Sequence, residues 1–386
     1  MRLVVRRWIW RIVVCAVSVI VAVCALEAGL ELSAARRLYR QARDRFHPFV
    51  QIVPPADLEG VNADRFRGDS IALVKPPRTL RVFTLGGSTT LGLPNRYADT
   101  YPRLLQQRLQ ALHPGIAVEV ENAGVDWYST AHSLAAYTLR VRRFNPDVLI
   151  VMHAMNDLYR SFAPPWFASG PFQSDYSHYL GPTVAILGPQ TGLASDYARG
   201  GWILWRLLGH ALRRDPWPTG QSAEGLARLR SRFRAVRVAS FRSLDTFKSN
   251  YEQLVRAIQT DGHLVVVASE PSLYKDVMSP DEERVLWFAP VFCAEGGEYP
   301  DLDSMHRGMT QFNAAAKAVA DERGNAFVDF DASVPKDLRH FVDDVHMNRA
   351  GNDAIAEAAA RWISEHLPAS LRQPAAPGSE HPARTP

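Results

Sequence analysis

Arg81-Val82-Phe83-Thr84-Leu85-Gly86-Gly87-Ser88-Thr89-Thr90 is the stretch that decides the fold. After Arg81, Val82, Phe83, Thr84 and Leu85 form a short β-rich, largely apolar run in the pattern of a buried strand. Two glycines then allow a sharp reversal, and the small hydroxyl residues after them suit the start of a helix. A strand that ends in such a turn belongs to an open α/β sheet, where ligands bind beyond the carboxyl ends of the strands. Alone, the turn also fits a phosphate-binding loop or a plain tight turn. A P-loop, however, needs a Gly-Lys-Ser/Thr ending, and no lysine follows here.

Working outward, similar apolar runs recur at Ala117–Glu121, Asp147–Met152, His263–Ala268 and Ala326–Phe330. Helical patterns lie between and after them, at Tyr101–Leu112, Ser249–Gln259, Met309–Glu322 and Ala350–Leu367. Strands alternating with helices predict a parallel sheet covered on both faces, a three-layer α/β/α sandwich with a five-stranded, doubly wound sheet. The α/β domain is expected over residues 79–367, with an insertion at about 158–245 that breaks the rhythm. That insertion contains Trp202-Ile203-Leu204-Trp205-Arg206-Leu207-Leu208, too short to span a bilayer and suited to packing or to a lid. Residues 368–386, rich in Pro and Ala, read as a disordered tail.

The 386 residues carry 44 basic and 40 acidic side chains, a net charge of +4. The excess is local: nine arginines face Glu27, Glu31 and Asp44 in residues 1–45, a net +6 that leaves −2 for the rest. The body therefore has no electrostatic footprint for nucleic acid. The arginines flank an uncharged run, Ile12–Leu26, which Trp8 and Trp10 extend as an interfacial belt. Residues 1–32 are read as a transmembrane signal anchor and residues 33–78 as a juxtamembrane helix and irregular lead-in. A cleaved signal peptide is the competing reading, with Ala22-Val23-Cys24 as a passable site. As an anchor it would leave the N-terminus inside and the large domain on the extracytoplasmic, periplasmic side. Cys15 and Cys24 fall in the apolar segment, so Cys293 is left without an internal disulfide partner and is read as a small buried hydrophobe.

Chemistry-bearing residues follow the strands. Near the C-terminus, Asp343-Asp344-Val345-His346 precedes Met347-Asn348-Arg349-Ala350, which opens the last helix. A nucleophilic serine needs a base in reach, and the base needs an orienting carboxylate. Asp343, three residues before His346 in one loop, fits that need, although a helix-capping cluster fits the same residues. A metal site of Asp343, Asp344 and His346 lacks further clustered ligands, so no metal or cofactor is expected. The second strand ends in Glu121-Asn122-Ala123-Gly124 and the third in His153-Ala154-Met155-Asn156-Asp157. Gly124 can offer a backbone N–H, and Asn156 a side-chain donor, to a developing oxyanion. Each alone reads more readily as a turn residue, but together they occupy the same rim as Ser88. His153, Tyr128 and Trp127 lie close to that rim without an assigned role.

Gly86-Gly87-Ser88-Thr89-Thr90, Gly124, Asn156 and Asp343-x-x-His346 together resemble the four blocks of the SGNH (GDSL-type) hydrolase superfamily. The resemblance covers roughly residues 80–366, and Thr100-Tyr101-Pro102 and Phe312-Asn313 look like bacterial membrane-anchored members. It implies a flavodoxin-like fold, Ser88 as nucleophile, His346 as base and Asp343 as its orienter. Gly124, Asn156 and the Ser88 backbone N–H would form the oxyanion hole. Two positions depart from the pattern: Gly87 stands where the family usually has Asp, and Ala154 where it usually has Gly. The function implied is a serine esterase on O-acyl esters of a small molecule or glycan. Alternatives are an O-acyltransferase or deacetylase on envelope polysaccharide, or a non-catalytic envelope-assembly or glycan-binding protein. The acyl group, the alcohol and the oligomeric state have no sequence determinant.

Overall fold

A computed structural model describes residues 2–162, 223–292 and 297–372. The expected apolar run Trp202–Leu208, Cys293 and the tail beyond Arg372 lie outside the described residues. One uninterrupted helix, α1 (Arg2–Arg45), runs through the apolar segment and the start of the juxtamembrane stretch. Its segment Arg6–Ser33, 28 residues long, is apolar enough to cross a membrane, a property that anchors and signal sequences share.

Five strands form the central sheet: β1 (Thr79–Gly86), β2 (Ala117–Asn122), β3 (Val148–Met152), β4 (Leu264–Ala268) and β5 (Ala326–Val328). All pair in parallel, in the order β2-β1-β3-β4-β5. This is the flavodoxin-like order, and the expected doubly wound sheet is present. Every residue of β1 and β3 is buried, as strands covered on both faces require. The last strand is shorter than the apolar run suggested, because Asp329 accepts a hydrogen bond from Ala332 N and caps a helical turn, Phe330–Ser333.

Helix α2 (Ser88–Leu91) follows β1 directly, and α3 (Tyr101–Leu112) follows it. Then come α4 (Thr130–Ala136) after β2 and α5 (Met155–Tyr159) after β3. The long helices α6 (Leu244–Thr260), α7 (Leu302–Arg323) and α8 (Arg349–Glu365) complete the layers. Helices α3 and α8 pack together, and α6 packs against both α4 and α7. Two of these helices start earlier than apolar periodicity indicates, for local reasons. The Asp301 side chain accepts the Ser304 N–H at 2.8 Å and starts α7 seven residues before Met309. Phe247 joins Tyr251, Leu254, Val255 and Ile258 on the buried stripe of α6.

Two excursions leave the sandwich. The first falls in the stretch read as an insertion at about 158–245, of which a helix (Ala223–Arg232) and a strand (Arg234–Val236) are described. The second, over residues 269–301, has no counterpart in the sequence reading. It contributes a strand, Glu298–Pro300, that pairs in parallel with Arg234–Val236 and closes the two excursions on each other. The tail also begins with a helical turn, Ala369–Arg372, at its start.

The lead-in is not a passive linker. Arg67, 1 % exposed, donates to Leu91 O at 2.8 Å and Asn95 O at 2.8 Å, satisfying carbonyls at the end of α2. Tyr128 OH donates to Ile52 O at 2.6 Å and lies 3.1 Å from Val50 O. Arg45, at the end of α1, pairs with Asp126 and donates to Val53 O at 3.1 Å. The segment from Arg45 to Arg67 therefore packs on the α/β body.

Candidate active site

In this strand order the direction of winding reverses between β1 and β3, and the crevice at that switch point is where open α/β sheets bind ligands. The residue pair Gly86 and Met152 is in register at the ends of these two strands. Ser88 follows β1 and Asn156 follows β3, so both start from the crevice. Gly86 must lack a side chain, since a Cβ there would lie 2.0 Å from Thr90 Oγ1 and 2.8 Å from Met152 O. A Cβ on Gly87 would come 2.5 Å from Asn156 Nδ2, so a glycine there lets the Asn156 amide pack against the Ser88 turn.

Ser88 is partly exposed at the start of α2. Its Oγ lies 2.8 Å from His346 Nε2. On the far side of the ring, Nδ1 lies 2.8 Å from Asp343 Oδ2 and 3.0 Å from Oδ1. Asp343 is fixed by its own loop, accepting the backbone N–H groups of His346 at 2.8 Å and Val345 at 3.1 Å. A bridge between Phe341 and Met347 closes that loop. Sequence spacing thus brought Asp343 and His346 together, and the fold carries the pair to Ser88.

Electrostatics follow from the geometry. Burial pulls the His346 imidazole down, but the adjacent Asp343 carboxylate more than reverses this, and the ring ends above its ordinary 6.5. For Asp343, burial pushes upward, yet His346 and the indole of Trp287 hold the carboxyl below 3.8. Asp344 takes a different course. Its side chain turns away to Tyr274 OH at 2.5 Å and to the backbone N–H of Trp287 at 2.8 Å. Burial, then the neighbouring Asp343, lifts it to about 6. Its carboxylate thereby ties the loop to residues 287–288.

Asn156, 8 % exposed, donates one amide N–H to Tyr128 O at 2.9 Å, which orients the other amide hydrogen independently. Gly124, expected as an oxyanion donor, here donates its backbone N–H to Asn122 Oδ1 at 2.9 Å. What requires glycine there is space, because a Cβ would lie 2.6 Å from Leu91 N and 2.8 Å from Thr90 Cβ. The Ser88 N–H and Asn156 Nδ2 are the other donors expected beside Ser88.

Of the unassigned rim residues, Tyr128 positions Asn156 through its carbonyl and is itself held by the lead-in. His153 is buried: its Nε2 lies 2.7 Å from Ser133 Oγ, and burial, then Arg160, lowers its pKa to about 3. Together with Asp157, 3.9 Å from its Nδ1, it imitates a triad. None of the three reaches solvent, so the cluster is structural. Trp127, Tyr159, Trp287 and Phe288 form one aromatic group, with Trp127 and Phe288 stacked at 6.0 Å.

Two groups escaped sequence reading. Trp287, from the second excursion, donates its indole N–H to Asp343 Oδ2 at 2.9 Å. Glu270, just after β4, is 4 % exposed. Neither lies near a block in the chain. The only available signal was that Glu270, like Ser88 and Asn156, directly follows a strand.

The profile of the GDSL-like Lipase/Acylhydrolase family matches residues 84–354, more than half the chain. The chain belongs to that family. It is accordingly a carboxylic ester hydrolase of the GDSL/SGNH type. Among solved structures it is similar to Axe2, an acetylxylan esterase from Geobacillus stearothermophilus, at 15 % identity and a TM-score of 0.43, covering 76 % of this chain and 96 % of that one. It is also similar to LAE5, an alpha/beta hydrolase enzyme from the metagenome of Lake Arreo, Spain, at 14 % identity and a TM-score of 0.42, covering 78 % and 99 %. These likenesses are distant, and family membership rests on the profile match. A search of curated proteins found no match.

Proposed function

We propose that this GDSL hydrolase is a membrane-anchored serine esterase that cleaves O-acyl esters through a Ser88–His346–Asp343 triad and an acyl-enzyme. The observation that carries the reading is the unbroken relay from Ser88 Oγ to His346 Nε2 at 2.8 Å and from His346 Nδ1 to Asp343 Oδ2 at 2.8 Å. His346 takes the Ser88 proton as Oγ bonds to the ester carbonyl carbon, and the carbonyl π pair moves onto oxygen. The Ser88 N–H and Asn156 Nδ2 stabilise that oxyanion. Collapse expels the alcohol, which leaves with the proton from His346. Water then gives a proton to the same nitrogen, attacks the acyl carbon and releases the acid, while the proton returns to Ser88.

The substrate proposed is an uncharged small-molecule or glycan ester, in keeping with a body near neutrality. The location proposed is an uncleaved anchor with the catalytic body outside, supported by Arg2, Arg6, Arg7 and Arg11 preceding the apolar run. The deciding experiment is fluorophosphonate labelling of the full chain beside Ser88→Ala, followed by turnover of p-nitrophenyl acetate and longer esters. Labelling and turnover that vanish in Ser88→Ala are expected. A folded wild type that is neither labelled nor active overturns the reading. N-terminal sequencing of the membrane-bound form tests the anchor, and a start beyond residue 22 rejects it.

A further inference from the structure

Glu270 is a carboxylate at the end of β4, buried and 4 % exposed. A charge so placed is costly unless donors surround it. Three do. Thr89 Oγ1 donates to Oε1 at 2.9 Å, from the residue next to the nucleophile. On the other oxygen, Oε2 accepts Ala154 N–H at 2.6 Å and Met155 N–H at 2.8 Å, from the turn that carries Asn156. The backbone of Glu270 is pinned in turn. Its N–H donates to Asn313 Oδ1 at 2.9 Å and its carbonyl accepts Asn313 Nδ2 at 3.0 Å.

This wiring joins segments that the sheet alone does not join. The Ser88 turn and the Asn156 turn leave adjacent strands, and each opens a short, buried helix. One rigid side chain from a third strand spans both. We propose that Glu270 is a positioning residue of the esterase centre, locking Ser88 and Asn156 into one geometry through Thr89 on one oxygen and Ala154 and Met155 on the other. The inference rests on the Ser88 esterase reading. Catalysis loses roughly 100-fold when reacting groups move by about 1 Å, so such a lock acts on kcat rather than on substrate affinity.

A consequence for pH separates this role from plain packing. The charged groups facing His346 are Asp343 and Asp344 from its own loop and Glu270 from the end of β4. Glu270 itself faces Asp157 from the Asn156 turn, and the phenols of Tyr101 on α3 and Tyr251 on α6 lie within its field. Burial raises Glu270 above 4.5 while its three donors oppose that rise. Removing its negative charge makes the His346 imidazolium less favourable and lowers the pH at which the base becomes active.

The test uses the full chain with Glu270→Gln, which keeps the shape and one acceptor oxygen for Ala154 and Met155. Steady-state kinetics on p-nitrophenyl acetate, the pH profile of kcat/KM and the fluorophosphonate labelling rate are read beside thermal midpoints. The expected result is a kcat lower by roughly 10- to 100-fold with KM within about threefold, slower labelling and an acid limb moved to lower pH. Wild-type kcat together with an unmoved acid limb overturns the proposal. If Glu270→Gln does not fold, Thr89→Val decides, since it cuts only the link to Oε1. A lower kcat at unchanged KM then supports the lock, and an unchanged kcat rejects it. Failure of the esterase reading itself looks different, because wild type would then match Ser88→Ala in labelling and turnover.

Discussion

His346 Nε2 lies 2.8 Å from Ser88 Oγ, although 258 residues of chain separate them. The contact exists because β1 and the loop before α8 end on the same rim, and because Asp343 fixes the imidazole from behind. In the proposed mechanism it sets the pH behaviour of the enzyme. His346 must be neutral to accept the serine proton, so activity falls as pH drops through its pKa. With Asp343 outweighing burial, that pKa lies above 6.5. The acid limb of kcat/KM on p-nitrophenyl acetate is therefore expected above pH 6.5. Asp343→Asn should move it downward and cut kcat by about four orders of magnitude, as loss of the orienting carboxylate does in serine triads. A limb that stays in place in that variant excludes Asp343 as the orienter.

Trp287 extends the same chain of contacts by one residue. Its indole N–H on Asp343 Oδ2, at 2.9 Å, is a hydrogen bond to a charge and is worth about 1.5–3 kcal/mol. Trp287→Phe keeps most of the apolar surface in the aromatic group and removes the donor alone. Asp343 then exerts a stronger pull on the imidazolium, so the acid limb should move to higher pH and kcat should fall by roughly tenfold. Stopped-flow and steady-state rates over the pH range check this. A drop in thermal stability with an unchanged pH profile would reduce Trp287 to packing.

Asn156→Ala addresses the oxyanion. Removal of one such donor costs about 10²–10³ in kcat. In the proposed mechanism Asn156 shares this load with backbone N–H groups beside Ser88. The loss should fall on kcat with KM nearly unchanged, and Gly124→Ala should instead lower stability through its clash with Leu91 N and Thr90. Wild-type turnover in Asn156→Ala would remove Asn156 from the site.

The sheet and the Ser88–His346–Asp343 relay were legible because each depends on local pattern. Alternation of apolar strands with helices fixes a doubly wound sheet, and small residues at strand ends mark the rim. The departures have the opposite character. Gly124 reads as an oxyanion donor from its position, but whether its N–H is free depends on the side chain of Asn122 two residues earlier. Trp287 arrives from an excursion with no regular period. Glu270 carries no motif, and its importance arises from three donors contributed by two other turns. The lead-in reads as irregular because its prolines and polar residues give no sign of its one buried arginine, Arg67, which bonds carbonyls at and just beyond the end of α2.

Glu121 supplies the last prediction, one about stability rather than catalysis. It sits at the end of β2, where Asn62 Nδ2 donates to its Oε2 at 3.0 Å. Burial pushes its pKa up to about 9, against the partial relief of Asn62 and with added repulsion from Asp69. An acid raised in the folded state binds a proton that the unfolded chain has already released. Stability therefore declines as pH rises from about 4.5 to about 9, by at most roughly 1.4 kcal/mol per pH unit. Glu121→Gln keeps the acceptor for Asn62 and has no proton to lose. Its urea midpoint should match wild type near pH 4.5 and exceed it by a margin that widens up to pH 9. A margin constant across that window would mean that Glu121 is already ionised in the folded protein.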